Sequence, residues 1–182
     1  MTKIIEFWGA PGSGKSTFAA ECFSYACRQG LNCYLVPEFI KPFAIRRDPI
    51  ENLDQLWIVG GQTQAEKVAY GKYDYIFTDS PVFLPAFYTY YHTGSSMGIT
   101  GATLKWEKTV YRTYPTQRVR VFLPFREELY NPTGRYETRN QCLDISDRMH
   151  EWATEQLGLA LHYLPEEDRS GEFIFNTFLK GE

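Results

Sequence analysis

Gly9-Ala10-Pro11-Gly12-Ser13-Gly14-Lys15-Ser16 is the stretch that decides the fold of this chain, and Thr17 follows it directly. The stretch fits the pattern G-x-x-x-x-G-K-[ST]. Its glycines let the backbone curl so that successive N–H groups converge on phosphate oxygens, and the following helix adds the positive end of its dipole. Residues 9–17 are therefore predicted to bind the phosphates of ATP. Lys15 would reach the outer phosphates, and Ser16 would complete the ligand shell of a Mg²⁺ ion.

The segments on both sides of this loop predict the architecture. Lys3–Trp8 has the pattern of a short buried strand, and Ser16–Arg28 has the apolar spacing of a helix. Further strands are predicted at Leu31–Val36, Tyr73–Asp79, Arg118–Leu123 and Leu159–Leu164, with helical segments between them. Strands that alternate with helices predict an α/β fold, here a P-loop NTPase three-layer αβα sandwich with a five-stranded, mainly parallel sheet. Residues 1–182 are predicted to form one domain.

Composition narrows the class of protein. The chain has 182 residues, of which 43% are hydrophobic, so it is predicted to be globular rather than disordered. Its net charge of −3 lacks the basic character that nucleic-acid binders usually have. The aromatic content of 16% is typical either of a bulky core or of a pocket for a flat ligand. Four cysteines without a C-x-x-C pair, and no apolar run of membrane-spanning length, predict a soluble cytoplasmic protein with reduced thiols.

Two carboxylates follow predicted strand ends, where ligands of parallel α/β sheets bind. Asp79 is a candidate for holding Mg²⁺ or for accepting a proton from a substrate hydroxyl, and the alternative is a helix cap. Glu38 is a candidate general base, and the alternative is an ordinary surface carboxylate. The sequence leaves the choice of base between them open.

A predicted helix at Asn52–Tyr70 carries a polar pair. Gln62 and Glu66 lie one turn apart on it, a spacing that fits a solvated helix face better than a substrate contact. The adjacent Gly60-Gly61 pair predicts a kink.

Residues 124–140 are predicted to form an arginine-bearing lid. They include Arg126, Arg135 and Arg139, whose guanidinium groups can bind phosphate with two hydrogen bonds. Pro132 and Gly134 supply turn residues between them. A lid of this kind would stabilise a transferring phosphoryl group and exclude water. The alternative is surface pairing with the acidic residues Glu127, Glu128 and Glu137.

Together these motifs resemble the small P-loop kinases that phosphorylate nucleosides, nucleotides or related ribosides. The chain is similar to ribosylnicotinamide-kinase-like proteins and, more distantly, to the deoxynucleoside kinases. Val36-Pro37-Glu38 resembles the base motif of the latter family, Asp79-Ser80-Pro81 its acidic motif, and Gly134–Arg139 its lid. That family commonly has an arginine where Ser80 stands. The chain also resembles bacteriophage kinases that phosphorylate the hydroxymethyl group of a modified pyrimidine in DNA, in which case it would act in the host cytoplasm.

The resemblance implies an ATP- and Mg²⁺-dependent phosphotransferase in which Lys15, Glu38, Asp79, Arg126, Arg135 and Arg139 are the catalytic residues. The acceptor would be a nucleoside-like small molecule or a modified DNA base, the protein would not contact a membrane, and it would be a monomer or a homodimer. The alternative from a different class is an NTP-binding switch or ATPase that acts on a partner protein.

Overall fold

The computed structural model describes residues 2–51, 53–94, 97–114 and 116–180. Asn52, the first residue of the helix predicted at Asn52–Tyr70, lies outside these ranges. Met1 and Glu182, the first and last residues of the predicted domain, also lie outside them. The strands are β1 (Lys3–Trp8), β2 (Cys33–Val36), β3 (Tyr75–Thr78), β4 (Gln117–Phe122) and β5 (His162–Tyr163). The α-helices are α1 (Lys15–Arg28), α2 (Lys41–Arg46), α3 (Asp54–Lys67), α4 (Leu84–Thr93), α5 (Ile99–Thr113), α6 (Arg139–Glu151) and α7 (Gly171–Ile174).

All pairings in the sheet are parallel, in the order β2-β3-β1-β4-β5. β1 lies in the centre, and its six residues are all buried. Such continuous burial fits a strand that is covered on both faces. The carboxyl ends of β1, β2 and β3 therefore meet at one edge of the sheet, which is where the phosphate loop, Glu38 and Asp79 begin.

Helices cover both faces of the sheet. On one face, Ile5 and Phe7 pack with Phe18 and Cys22 of α1 and with Ile174 of α7. The other face is covered mainly by α3 to α6, and two apolar clusters lie beneath them. The three-layer αβα sandwich is thus confirmed. Every helix in the described ranges is too short or too polar to cross a lipid bilayer.

Element boundaries differ from the predictions mainly at the edges of the fold. β5 has two residues rather than six, because it pairs only with Val121 and Phe122 at the end of β4. Between β3 and β4 the chain forms two helices, α4 and α5, and the second of them begins at Ile99. Two helices end in π-helical turns, at Trp152–Gln156 and Phe175–Leu179.

A buried ion-pair network links β1 and β4 to helices α3 and α5. Arg118 donates hydrogen bonds to Glu6 (2.5 Å) and to Glu66 of α3 (2.7 Å), and both carboxylates are completely buried. Arg120 pairs with Glu6 at 3.2 Å, and the Tyr111 hydroxyl donates to the same carboxylate at 2.9 Å. The interpretation of Glu66 as part of a solvated helix face is therefore wrong. Its position four residues from Gln62, and eight from buried Ile58, places all three on the inner stripe of the helix.

Candidate active site

A cavity of about 490 Å³ opens at the carboxyl ends of β1, β2 and β3. Its walls come from the phosphate loop, the loop after β2, helix α2 with its connection to α3, the start of α4, and the lid segment (residues 124–140). This location is the one expected for ligands of parallel α/β sheets.

The phosphate loop has the backbone geometry that its glycines allow. Gly12 and Gly14 have φ angles of 90° and 89°, which side chains other than glycine rarely adopt. At Gly9 a Cβ atom would lie 2.5 Å from the Leu123 carbonyl oxygen, so only glycine fits there. Helix α1 starts from Gly14 with no capping side chain and no acidic residue in its first turn. Its positive end therefore faces the cavity without a counter-charge from the helix itself.

Lys15 is held inside the loop. Its ammonium group donates hydrogen bonds to the carbonyls of Gly9 (2.8 Å) and Ala10 (2.9 Å). Burial lowers the pKa of Lys15, and the nearby negative charges of Glu38 and Asp79 oppose that shift. The ammonium, both carboxylates and the phosphate loop thus lie within electrostatic reach of one another.

The backbone around Glu38 is fixed by Gln62. The Gln62 amide accepts a hydrogen bond from the Phe39 N–H at 2.8 Å and donates to the Pro37 carbonyl at 3.5 Å, so it holds the residues on both sides of Glu38. Helix α3 runs uninterrupted through Gly61, where a Cβ atom would lie 2.4 Å from the Phe39 ring. The Gly60-Gly61 pair is predicted from the sequence to kink the helix. One of its two residues, Gly61, is instead packed closely against the Phe39 ring. No motif in the sequence indicates this role of Gln62. Its spacing of four residues from the apolar Ile58 is the signal that places it on the buried face of the helix.

Glu38 is a carboxylate in a partly desolvated setting. Burial and the negative charge of Asp79 raise its pKa above the ordinary value, while the charges of Lys15, Lys41 and Arg135 oppose the rise. The Lys41 ammonium is 3.9 Å from the carboxylate. A raised pKa brings a carboxylate closer to the range in which it accepts protons efficiently near neutral pH.

Asp79 and Ser80 follow β3 and are both buried. The next helix begins at Leu84 and its N-cap residue is Phe83, so Asp79 does not cap α4. No group in the described part of the chain donates a hydrogen bond to the Asp79 carboxylate. The Ser16 hydroxyl is exposed and lines the cavity, whereas Asp79 is not part of the lining. Both side chains carry oxygen atoms, the ligands that Mg²⁺ prefers, so they stay the candidates for holding the ion. Within the described ranges no cluster of three His, Cys, Asp or Glu residues could hold a metal by itself.

Arg135 lines the cavity. Its guanidinium carbon is 3.8 Å from the position that a Cβ atom on Gly12 would occupy, which places the group over the phosphate loop. The Arg135 Nε donates to the Asn131 carbonyl at 2.8 Å, and the Tyr136 hydroxyl donates to the Asp48 carbonyl at 2.7 Å. The lid segment therefore reaches from the phosphate loop to the end of α2.

Arg126 and Arg139 lie outside the cavity lining. Arg126 pairs with Glu128 and Glu166, each at 2.8 Å, and Arg139 pairs with Glu127 at 2.5 Å. For these two arginines the structure has the surface pairing that the sequence left as the alternative. Their catalytic roles, like that of Arg135, stay predictions.

The cavity also has an apolar part to its lining. Its walls include the side chains of Ile40, Ala44, Ile50, Ile58, Leu84 and Pro85. Two polar side chains, the Gln55 amide and the Tyr88 phenol, also line the cavity. Burial, with the negative charges of Glu137 and Glu38, raises the pKa of Tyr88, so its hydroxyl keeps its proton. Neither residue has a motif around it that would indicate a site from the sequence alone.

Comparison with known proteins supports the fold. No protein-family model matches the chain, and no curated protein is detectably similar to it in sequence. Among solved structures it is similar to the deoxyadenosine kinase from M. mycoides, whose structure was solved with bound dATP. The TM-score is 0.59 and the identity 14%, over 97% of this chain and 98% of that one. The likeness extends over the whole fold, and at this identity it bears on the fold alone.

Proposed function

We propose that this chain is an ATP- and Mg²⁺-dependent kinase that transfers the γ-phosphoryl group to a hydroxyl of a nucleoside-like acceptor. The observation that carries the proposal is a cavity whose lining includes both the phosphate loop and a set of apolar side chains. The same lining includes Glu38, Arg135 and the side-chain amide of Gln55. The likeness to a deoxyadenosine kinase adds support at the level of the fold.

The phosphate loop would hold ATP. The amides of residues 9–17 and the Lys15 ammonium would bind its phosphates, and Lys15 would exchange its two carbonyl partners for phosphate oxygens. Ser16 and Asp79 would hold Mg²⁺, which neutralises phosphate charge when bound. Arg135 would stabilise the charge that develops on the transferring group.

Glu38 would be the general base. The acceptor oxygen forms a bond to the γ-phosphorus while the bond from that phosphorus to the β–γ bridging oxygen breaks, and ADP leaves. The hydroxyl proton passes to the Glu38 carboxylate. We favour Glu38 over Asp79 because Gln62 fixes the backbone on both sides of Glu38 and because Glu38 lines the cavity whereas Asp79 does not.

The pH dependence should identify the base. Because Glu38 must be deprotonated to act and its pKa is raised, kcat/KM should climb with pH through a midpoint above the ordinary Glu value of about 4.3. Lys41→Ala should move this midpoint upward, because it removes a positive charge that opposes the rise. A profile flat down to the ordinary carboxylate range would argue against Glu38.

The three arginines of the lid segment should differ in effect. Arg135→Ala should lower kcat by about a hundredfold or more, because it removes a charge from over the phosphate loop. Arg139→Ala is the matched control in the same segment and should change kcat less than about threefold, since Arg139 pairs with Glu127 at the surface. Steady-state kinetics at saturating ATP would measure both. Equal losses in the two variants would contradict this assignment.

The apolar part of the lining fits a flat ring with hydrogen-bonding groups on its edge. The six apolar side chains would cover the faces of a nucleobase, and the Gln55 amide can both donate to and accept from its edge. The base could belong to a free nucleoside or to a hydroxymethylated pyrimidine in DNA. A pocket that closes on one base suits both acceptors.

A screen with γ-labelled ATP tests the proposed function. Nucleosides, nucleoside monophosphates, ribosylnicotinamide and DNA that contains hydroxymethyluracil would be offered in parallel. We expect acceptor-dependent transfer of the label. Label released only as inorganic phosphate, at a rate raised by a protein partner, would instead favour the NTP-dependent switch.

A further inference from the structure

We propose that Arg47 binds a phosphate group carried by the acceptor itself, separate from the phosphoryl group that is transferred. The inference rests on the proposed function and narrows it, because it makes the acceptor a nucleotide or a nucleotide unit of DNA rather than a neutral nucleoside. Three independent observations carry it.

The backbone at Arg47 is the first observation. Arg47 follows the last residue of α2, with φ 58° and ψ 36°, in the left-handed region. Among the described residues it is the only one other than glycine with a positive φ. Helices commonly end on a residue in this conformation, and glycine is the usual choice because a Cβ atom is disfavoured there. An arginine at such a position is unfavourable for the backbone, so its side chain is the feature to be explained.

The free guanidinium of Arg47 is the second observation. Within the described residues it has no ion pair and no hydrogen bond, and it lines the cavity. Its neighbour Arg46 differs. The Arg46 guanidinium bonds to the Asp48 carboxylate at 2.6 and 3.0 Å and lies 4.7 Å from the centre of the Phe43 ring. Arg46 is therefore held by contacts within the protein, whereas the charge of Arg47 is available to a ligand.

The charges around Arg47 are the third observation. Lys41 lines the same cavity, and Arg46 already engages the nearby Asp48 carboxylate. Glu51 is the remaining carboxylate of the segment between α2 and α3 that lines the cavity. Arg47 is an exposed residue of the cavity lining, and its guanidinium can bind a phosphate with two parallel hydrogen bonds.

This phosphate could come from a free nucleotide or from the backbone of DNA. The chemistry recognised is the same in both cases, a phosphate ester attached to the sugar. The two sources differ in whether the acceptor is part of a polymer, and the test below separates them.

Arg47→Gly is the informative variant. Glycine adopts the left-handed conformation freely, so the thermal unfolding midpoint should stay the same or rise, which separates a binding loss from misfolding. Arg28→Ala is the matched control, because it removes one positive charge from an exposed site on α1 outside the cavity.

The quantity to measure is the ratio of kcat/KM for a phosphate-bearing acceptor to that for the same nucleoside without phosphate. The pairs are a nucleoside with its 3′-monophosphate, and free hydroxymethyldeoxyuridine with an oligonucleotide that contains it. The wild-type protein should favour one phosphate-bearing member, and Arg47→Gly should lower that ratio about ten- to a hundredfold. Arg28→Ala should leave it unchanged. A preference for the monophosphate indicates a free nucleotide, and a preference for the oligonucleotide indicates DNA.

Two results would overturn the inference alone. One is wild-type transfer without preference for the phosphate-bearing member of either pair, and the other is a preference that survives in Arg47→Gly. Failure of the wild-type protein to transfer phosphate to any acceptor is a different result, because it overturns the proposed function and this inference with it.

Discussion

Lys15→Ala should lower the rate of phosphoryl transfer by about a thousandfold or more while the protein stays folded. The ammonium is the positive charge at the centre of the phosphate loop, and in the proposed reaction it moves from the Gly9 and Ala10 carbonyls to the phosphates. The fold should tolerate the change, since Lys15 makes no ion pair in the described residues and alanine is favourable at the start of a helix. Single-turnover assays would measure the transfer step, and circular dichroism the fold.

Lys105→Ala provides the control for this prediction. Lys105 is an exposed lysine of α5 outside the cavity, so its loss removes the same charge without touching the phosphate loop. It should transfer phosphate at the wild-type rate. If folded Lys15→Ala kept more than a tenth of wild-type activity, the Lys15 ammonium would not be the main charge that acts on the transferring phosphoryl group, and the proposed mechanism would be contradicted.

Arg118→Met should lower the free energy of unfolding by about 3–5 kcal/mol. Arg118 is the shared partner of Glu6 and Glu66, whose carboxylates are completely buried, and its guanidinium lies 3.9 Å from the centre of the Tyr111 ring. Removing it leaves two buried negative charges without their main counter-charge. Urea denaturation followed by tryptophan fluorescence would measure the loss.

A surface pair offers the matched control for Arg118. Arg148 bonds to Asp144 at 2.9 Å, but both side chains are largely exposed, so Arg148→Met should barely move the urea midpoint. A loss in Arg118→Met no larger than in Arg148→Met would mean that the buried network does not hold the sheet and α3 together.

Lowering the pH should reduce the difference in the free energy of unfolding between the wild-type protein and Arg118→Met. Burial alone would raise the pKa of Glu6, but the charges of Arg118 and Arg120 and the hydrogen bonds to the carboxylate lower it overall. The stability that this lowered pKa contributes is present above the ordinary Glu pKa and is lost as pH falls through the folded-state value. Without Arg118 the same carboxylate is easier to protonate, so the variant should lose less stability than the wild-type protein as the pH falls. Denaturation curves at pH 7 and pH 4 would measure the difference.

The buried ion-pair network also shows which contacts a sequence pattern can predict and which it cannot. Alternation along β4 places Arg118 and Arg120 on one face of the strand, and pairing with acidic helix residues is the natural interpretation of that pattern. The pattern could not identify Glu66 as the partner, because the contact joins residues 52 apart in the chain. Both ends of such a pair look like ordinary surface charges until the helix is docked on the sheet.

The lid segment differs from the phosphate loop in the same respect. Its turn residues and arginines are readable in the sequence, but the direction of each guanidinium depends on distant partners. Arg126 reaches Glu166, whereas Tyr136 reaches the Asp48 carbonyl 88 residues away and lies beside Arg135 at the cavity. Three equivalent arginines in the sequence thus become one at the cavity and two at the surface.

The sequence by itself determined the phosphate loop, the order of strands and helices, and the edge of the sheet at which Glu38 and Asp79 meet. These features depend on backbone conformations and periodicities within short segments, where glycines and apolar spacing act directly. Tertiary structure alone decided which charges are buried, how Gln62 holds the loop around Glu38, and which side chains form the apolar part of the cavity lining. Those properties come from contacts between segments far apart in the chain, and no local preference of a residue encodes which surface it will meet.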